Sequence, residues 1–451
     1  MFRQLEPKLQ RNLIIFFCAS LCFWGGLSGM IPNLALYIGS FGASNQEIGW
    51  VMASFAVGLL CFRPRMARLA DQVGRKPALL IGVLVIAIAP ILYLAAGLLP
   101  QTTWTLPILG WQIKSITVLL GLVRMFHGLS IAAFSTAYTA AIADLAPAQH
   151  RGELISTMSL ANPVGMAMGP ALGGYLSGSF TLAFLTMTGM GSIGALCVLS
   201  AEEPSQVSVP HSVDTDSVSS SVDSSGNTEA NTEGKVTQNQ RPKNAPFWSL
   251  LLTPPIRVPA LILFMVGIAF GSVVTFMPLY VQDRGWAFNI GLIYTASAIA
   301  SFSIRTFTGS ASDRFGRGRF ISLGVFFYSL SMFTLWLSNA PETLLLAGIF
   351  QGIGSGTIIP IIAALMADRS LPNQRGLTFG LCMTGFDLGI ALAGPMLGLV
   401  ADATGSYSIV FAIAGTMTFL GLIIFIITSS KDIPHSIRFA LNGGRDVYAI
   451  D

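Results

Sequence analysis

Three ionisable residues of this sequence lie inside long apolar stretches, where each could help to move a proton. Asp387 stands among apolar and small residues between positions 383 and 389, and Arg124 and His127 share a stretch between 117 and 128. An acid or an imidazole in such a setting can bind and release a proton. A cation at the centre of an apolar helix costs about 2.5–3.5 kcal/mol by insertion scales, so Arg124 needs a partner or a function.

Each of the three also has a structural interpretation. Arg124 could bind backbone carbonyls at a helix bend, and His127 could be a hydrogen-bonded packing residue. Asp387 could form a hydrogen bond to neighbouring helices. These alternatives stay open, and Asp387 is the main candidate for proton coupling.

A short basic turn occurs twice in the chain. In both copies an Arg precedes an Asp by eight residues, and a Gly-Arg pair begins three residues after the Asp. The residues are Arg63, Asp71, Gly74 and Arg75 in the first copy, and Arg305, Asp313, Gly316 and Arg317 in the second. Two copies of one loop indicate an internally duplicated chain. Each early Arg could reach the membrane interface or join the Asp of its own loop.

Later segments repeat as well, at a different offset. Asp144 precedes an Arg-Gly pair by seven residues, as Asp368 does in the second half. The offset is 242 residues for the basic turns and 224 for the later pairs, so the first half contains an insertion of 18, which residues 100–114 would supply. At the 224 offset Arg124 corresponds to Gly348. Neither Arg124 nor Asp387, whose counterpart is Asn162, belongs to the repeated scaffold.

The composition is that of a polytopic membrane protein. Hydrophobic residues make up 53% of the 451 and charged residues only 10%, against about 25% charged residues in soluble domains. We predict an all-α fold with twelve transmembrane helices in two pseudo-symmetric six-helix halves. The spans are predicted near 12–37, 47–66, 78–99, 115–143, 153–178, 181–200, 256–281, 288–309, 320–338, 342–366, 376–401 and 407–429.

The predicted organisation has four parts. Residues 1–200 form the first six-helix half, and 246–430 form the second. Residues 201–245 are rich in Ser, Asp, Asn and Thr, which predicts a disordered linker, and 431–451 form a polar tail. With both termini in the cytoplasm, 22 of the 25 Lys and Arg residues fall on the cytoplasmic side, which is the arrangement expected of a plasma-type or bacterial inner membrane protein. The first apolar run is too long for a signal-peptide core, so we expect it to be a span.

The chain resembles the major facilitator superfamily of secondary transporters. The family's loop pattern, G-x-L-A-D-R-x-G-R-K, is matched at residues 67–76, with Ala67 and Gln72 as departures. The resemblance implies that Asp71 faces the N-terminus of span eleven, near Arg375, when the cytoplasmic side is closed. A helix N-terminus attracts a carboxylate, so this contact would act as a gate. The alternative is that the loop charges only set the orientation. The resemblance also links Arg124 to proton transfer.

A series of small residues lies on the predicted fifth span. It resembles the motif of the family's antiporter branch, and its physical role would be close helix approach with a proline bend. Packing alone would use the same residues. They are Gly165, Gly169, Pro170, Gly173 and Gly174, echoed by Gly394-Pro395 and Gly398 in the second half.

Several polar and aromatic residues within spans are candidates for lining a substrate cavity, although such residues more often serve packing. These are Asn33, Tyr138, Asn162, Phe276, Tyr280 and Phe386. No phosphate-binding loop or metal-ligand spacing occurs, and all five cysteines lie in apolar runs. We expect neither an enzyme nor a cofactor, metal or nucleic-acid binder.

The expected function is alternating-access transport of a small solute across a lipid bilayer, with proton-coupled efflux by antiport as the first hypothesis. A proton symporter or facilitator for a sugar or organic acid is the alternative within transport. A membrane sensor without transport is the alternative from another class. Substrate and protons are the expected partners, and the protein is expected to be monomeric.

Overall fold

The computed structural model describes residues 6–106, 111–147, 151–202, 251–371 and 375–450, and helices account for most of them. The predicted all-α polytopic fold is confirmed. Only Ala201 and Glu202 of the predicted linker are among the described residues, so the disorder predicted for the rest stays a prediction.

The first half contains six membrane-length segments. The first segment is α1 with α2, and the fifth is α6 with α7. The elements, numbered in chain order, are α1 (Pro7–Gly29), α2 (Ile31–Gly39), α3 (Asn45–Gln72), α4 (Arg75–Gly97), β1 (Thr103–Leu106), β2 (Trp111–Lys114), α5 (Ser115–Leu145), α6 (Arg151–Ser159), α7 (Ala161–Tyr175) and α8 (Phe180–Ser200).

The second half repeats the arrangement with six single helices, followed by a short seventh. They are α9 (Pro254–Asp283), α10 (Gly291–Phe315), α11 (Arg317–Trp336), α12 (Pro341–Asp368), α13 (Arg375–Thr404), α14 (Tyr407–Thr428) and α15 (Ile433–Asn442).

Ten helical stretches of the described residues are long and apolar enough to cross a membrane. The two remaining segments have simple reasons to fall short. The fifth is divided between α6, with 9 residues, and α7, with 15. Helix α10 carries Arg305, Asp313 and Arg314 in its second half, which lowers its hydropathy. Together these segments agree with the predicted layout of twelve.

A two-stranded hairpin occupies the predicted insertion. Strands β1 and β2 pair antiparallel, with Thr103 opposite Lys114 and Leu106 opposite Trp111. Lys114 Nζ donates a hydrogen bond to the carbonyl of Gly42, in the turn between α2 and α3. The hairpin therefore marks one end of the bundle, which we call the hairpin end. The opposite end carries the two Arg-rich turns, and we call it the basic end.

The helix boundaries near the candidate residues have local causes. Helix α3 begins with a capping box, in which the Ser44 hydroxyl accepts from the Glu47 N–H at 3.2 Å and Glu47 accepts from the Ser44 N–H at 2.8 Å. Each Arg-rich turn is made by a glycine with positive φ, Gly74 at 130° and Gly316 at 95°. Other residues rarely adopt this backbone conformation, so glycine permits both tight turns.

The two halves touch at the hairpin end mainly through two helix pairs, and α2 also contacts α9 there. Helices α3 and α13 approach so closely that a Cβ on Gly49 or on Gly394 would overlap the other's backbone. Helices α7 and α10 meet in the same way at Gly174 and Gly291. At the basic end the beginning of α13 is open, because a Cβ added at Gly376 would meet no neighbouring atom within 4 Å. Among the described residues the halves are thus closed at the hairpin end and separated at the basic end.

Helix α15 covers the second Arg-rich turn at the basic end. Asp432 caps α15 by accepting a hydrogen bond from the His435 backbone N–H at 2.9 Å, and this bond, with the His435 ring, holds the pKa of the Asp432 carboxyl below its usual value. A Cβ on Gly318 would overlap the Phe439 backbone, and Gly443 packs against Phe315. Part of the predicted polar tail is therefore a docked helix.

Candidate functional site

An ion pair joins the two halves within the bundle. Arg63 Nη1 donates to Asp387 Oδ2 at 2.9 Å, and the Asp387 side chain is only 6% exposed while that of Arg63 is 36% exposed. Arg63 lies nine residues before the end of α3, and Asp387 lies twelve residues after the start of α13. At 1.5 Å per residue the pair is about 14–18 Å from the basic end. The two charges were both predicted as candidates, but not as partners.

The position of Asp387 follows from glycine spacing on α13. Gly385 and Gly389 pack against α9, where a Cβ on either would overlap the α9 backbone. Gly394 and Gly398, seven and eleven residues after Asp387, pack against α3. Residues seven and eleven apart share one helix face, so Asp387 belongs to the α3-facing side.

Arg124 and His127 form a separate buried cluster inside the first half. Arg124 is 7% exposed and His127 is 0% exposed. Arg124 Nη1 lies 3.3 Å from His127 Nδ1, and its guanidinium carbon lies 4.4 Å from the centre of the Phe55 ring. Among the described residues no carboxylate forms an ion pair with Arg124. Its charge is therefore stabilised by an aromatic face and an imidazole.

The hydrogen bonds of His127 indicate which tautomer the neutral ring adopts. Arginine can only donate, so Nδ1 accepts the bond and the proton of the neutral ring is assigned to Nε2. The Tyr93 hydroxyl lies 3.5 Å from the same Nδ1. Nε2 and Arg124 Nε are both buried without a partner among the described residues. Two buried N–H groups of this cluster are thus left without an acceptor among the described residues.

The two Arg-rich turns form matching charge networks at the basic end. Arg75 pairs with Asp71 at 2.5 Å and with Asp144 at 3.1 Å. In the second half Arg317 pairs with Asp313 at 3.2 Å and also with Asp368. Each network ties a turn to the end of the fourth membrane segment of its own half, α5 in the first and α12 in the second. The duplication seen in the sequence therefore extends to side-chain contacts.

Asp71 does not contact α13 in this structure. Its side chain is 68% exposed and pairs with Arg75, while Arg375 at the start of α13 is exposed. The predicted contact requires a closed basic end, and here that end is open. The gate role of Asp71 stays a prediction for the other conformation.

Arg305, the counterpart of Arg63, behaves differently. It is exposed on α10, and among the described residues no carboxylate pairs with it. The repeated Arg therefore reaches an acid of the opposite half in one copy only.

The predicted small-residue series lies at a helix crossing in the first half. A Cβ on Gly165, Gly169 or Gly173 would overlap α1, and one on Gly174 would overlap α10. Pro170 lies within the same contact, since its carbonyl faces Gly291. These residues let α7 pack tightly against both α1 and the opposite half.

Four predicted cavity residues are engaged inside their own half. Asn33 Nδ2 donates to the Gly173 carbonyl at 2.7 Å, and the hydroxyls of Tyr138 and Tyr280 also bond to backbone carbonyls. Phe276 is fully buried. The two that remain are Asn162, which is exposed, and Phe386, which is half-buried.

The family model described as Major Facilitator Superfamily matches residues 16–310 and 287–442. The chain belongs to this superfamily. The predicted resemblance of the chain to this superfamily is thus confirmed.

Two relatives within the superfamily are named for resistance or export. Quinolone resistance protein NorA of Staphylococcus aureus is 26% identical over 166 residues, 37% of this chain and 42% of that protein. The chain thus matches less than half the length of NorA. The staphylopine export protein of Staphylococcus aureus is 24% identical over 377 residues, 81% of this chain and 83% of that protein.

Solved structures show the same fold. A D-xylose-proton symporter matches with a TM-score of 0.69 and 15% identity, covering 94% of this chain and 98% of that one. The nucleoside transporter NupG matches with a TM-score of 0.64 and 14% identity, covering 95% and 100%. At these identities the likeness concerns the fold alone.

Membership in the superfamily, with ten helical stretches of membrane length among the described residues, places this chain among multi-pass membrane transporters, which are not enzymes. Two site features were missed by sequence reasoning. Arg369, with a side chain only 1% exposed, pairs with Asp446 at 2.7 Å, and Asp402 bonds to the start of α3. Polar residues at helix ends are common, and no sequence signal links these partners.

Proposed function

We propose that this transporter exports a small solute in exchange for protons, by alternating access, with Asp387 as the proton carrier. The observation that supports the proposal is the contact between Asp387 and Arg63. A buried carboxylate is bound by a cation from the opposite half, so its surroundings must change whenever the halves rock against each other.

The chemistry of the pair suits a proton carrier. A buried carboxylate whose cationic partner moves away is strongly disfavoured, and taking up a proton relieves this cost. In the present conformation the Arg63 guanidinium lies beside the Asp387 carboxylate and favours its ionised form. Movement of α3 relative to α13 would separate the two, and the acid would then bind a proton from the side to which it is open.

The direction of transport is inferred from the relatives. NorA is named for quinolone resistance, and the other protein is named for staphylopine export. The second name describes export of a compound and the first describes resistance to one, and together they favour efflux here. With protons entering down their gradient, coupled efflux is antiport.

The orientation is proposed from charge. Lys and Arg residues concentrate at the basic end and favour the cytoplasmic side. We assign the basic end to the cytoplasm, with both termini there, in a plasma membrane of the bacterial type. In this orientation the structure is open to the cytoplasm, the side from which an exporter takes its substrate.

Arg124 and His127 are assigned a supporting role. Their cluster lies inside the first half, and Asp387 pairs with Arg63 and not with Arg124. We propose that the cluster modulates proton transfer through its two unpartnered nitrogen atoms.

Asn162 and Phe386 are the accessible candidates for substrate contact. The protein is proposed to act as a monomer, which light scattering of the purified detergent complex would test.

The test is proton flux into proteoliposomes that enclose a pH-sensitive dye. Candidate solutes are a quinolone, staphylopine, a nucleoside, D-xylose and an organic acid, each offered under a fixed proton gradient. We expect one class to dissipate the gradient, and Asp387→Asn to reduce that flux to the level of protein-free liposomes. Asp283→Asn makes the same chemical change at the hairpin end and should leave the flux intact.

Three outcomes would contradict the proposal. Full proton-driven flux in Asp387→Asn would remove Asp387 from the mechanism. A solute that equilibrates without any proton movement would make the protein a facilitator. Movement of solute and protons in the same direction would identify a symporter instead.

A further inference from the structure

The spacing of the Arg-rich turns recurs a third time, at the opposite end of the bundle. In the two turns a small residue precedes an Asp by four, and a glycine of positive φ follows the Asp by three. At the end of α13, Gly398 precedes Asp402 by four residues, and Gly405 follows it by three with φ 64°. The same local design thus places a carboxylate at the hairpin end.

The Asp402 carboxylate binds the start of a helix from the other half. Its Oδ1 accepts from the Asn45 backbone N–H at 3.0 Å and from Asn45 Nδ2 at 2.9 Å, and its Oδ2 accepts from the Gln46 N–H at 2.9 Å. Asn45 and Gln46 are the first two residues of α3, whose N–H groups have no partner within the helix. The Tyr407 hydroxyl donates to Asn45 Oδ1 at 2.7 Å and completes the cluster.

Helices α3 and α13 run antiparallel, so each ends beside the start of the other. Asp402 near the end of α13 lies at the start of α3, and Asp71 near the end of α3 would lie at the start of α13. The first contact is formed here, and the second is absent among the described residues. We propose that Asp402 is the latch of the hairpin end, and that it closes when the Asp71 contact opens.

The pseudo-symmetric helix pair, α7 with α10, has no contact equivalent to the latch among the described residues. At the 225-residue offset that relates Gly169-Pro170 to Gly394-Pro395, Asp402 corresponds to Ser177, which carries no charge. There α7 and α10 are held by glycine packing and by one hydrogen bond, from Thr295 Oγ1 to the Ala167 carbonyl at 2.8 Å. The charge-assisted contact at the hairpin end therefore belongs to the α3–α13 pair.

The inference rests on alternating access in the proposed function, but its test needs neither substrate nor protons. Distances between spin labels report each end directly, in a full-length background with the five native cysteines replaced by alanine. Gln101→Cys with Glu342→Cys monitors the hairpin end, and Ser200→Cys with Thr428→Cys monitors the basic end. All four positions are exposed.

We expect Asp402→Ala to lower the ratio of hairpin-closed to hairpin-open molecules about tenfold, as expected for losing a charge-assisted contact. The label distance should lengthen at the hairpin end and shorten at the basic end. Tyr407→Phe should act in the same direction with a smaller change. Asp283→Asn, at an exposed acid of the same end, should change neither distance.

Unchanged distances in both Asp402→Ala and Tyr407→Phe would overturn the latch. If Asp402→Ala does not yield folded protein, the Tyr407→Phe distances alone decide. Failure of proton-coupled transport in liposomes would leave these distances unaffected, so the two proposals can fail independently.

Discussion

Arg63 and Asp387 are 324 residues apart in the chain, yet Arg63 Nη1 lies 2.9 Å from Asp387 Oδ2. The bond connects helices of different halves, and it lies between a closed hairpin end and an open basic end. Any rocking movement of the halves must therefore change the surroundings of this pair.

Replacing Arg63 should have a larger effect than replacing Arg305, its pseudo-symmetric counterpart. We expect Arg63→Ala to abolish proton-driven flux and to lower the free energy of unfolding by about 1.5–3 kcal/mol, the range for hydrogen bonds to charged groups. Proteoliposome flux and thermal unfolding in detergent are the measurements. The matched control is Arg305→Ala, which removes the same side chain at an exposed position where no described carboxylate forms an ion pair with it. Equal effects of the two substitutions would contradict a special role for Arg63.

Glycine contacts between the halves should be required for closing the hairpin end. A Cβ on Gly394 would overlap the backbone of Gly49, and neither helix can shift without separating the halves. Gly394→Ala should therefore increase the fraction of molecules open at the hairpin end and slow transport. Reactivity of a cysteine introduced at that end towards an impermeant maleimide measures the change. Gly178→Ala, where a Cβ meets no neighbour within 4 Å, is the control and should have no effect.

The ion pair between Arg369 and Asp446 should stabilise the second half. Arg369 also donates to the Pro255 carbonyl at 2.7 Å, so its loss leaves a nearly buried acid and a carbonyl without their donor. We expect Arg369→Ala to lower the free energy of unfolding by about 3–5 kcal/mol, as for other broken buried pairs. Thermal unfolding of the purified protein measures this. Arg257→Ala, at an exposed position, should change stability little, and a similar loss there would refute the assignment.

The sequence was sufficient to predict the twelve segments, because apolar runs of membrane length are a strong local signal. It also showed that Asp387 and Arg63 were unusual, since charges in apolar surroundings are conspicuous. It could not pair them, because no periodicity relates residues on different halves. Asn45 and Asp402 were missed for a different reason, since polar residues are ordinary at helix ends.

Asp71 illustrates a further limit of predicting contacts from sequence. One sequence encodes both conformations of a transporter, and the family pattern describes the contact made in only one of them. In the open basic end Asp71 pairs with Arg75 instead. A residue can thus be selected correctly from a motif while its partner depends on the conformational state.

The ion pair between Arg369 and Asp446 has a consequence for the synthesis of the protein. Asp446 is made 77 residues after Arg369, once two more membrane segments have been synthesised. Until then the Arg369 side chain lacks this acidic partner. The pair can therefore form only after α13 and α14 have been synthesised, and its presence would distinguish chains that have passed this stage from those that have not.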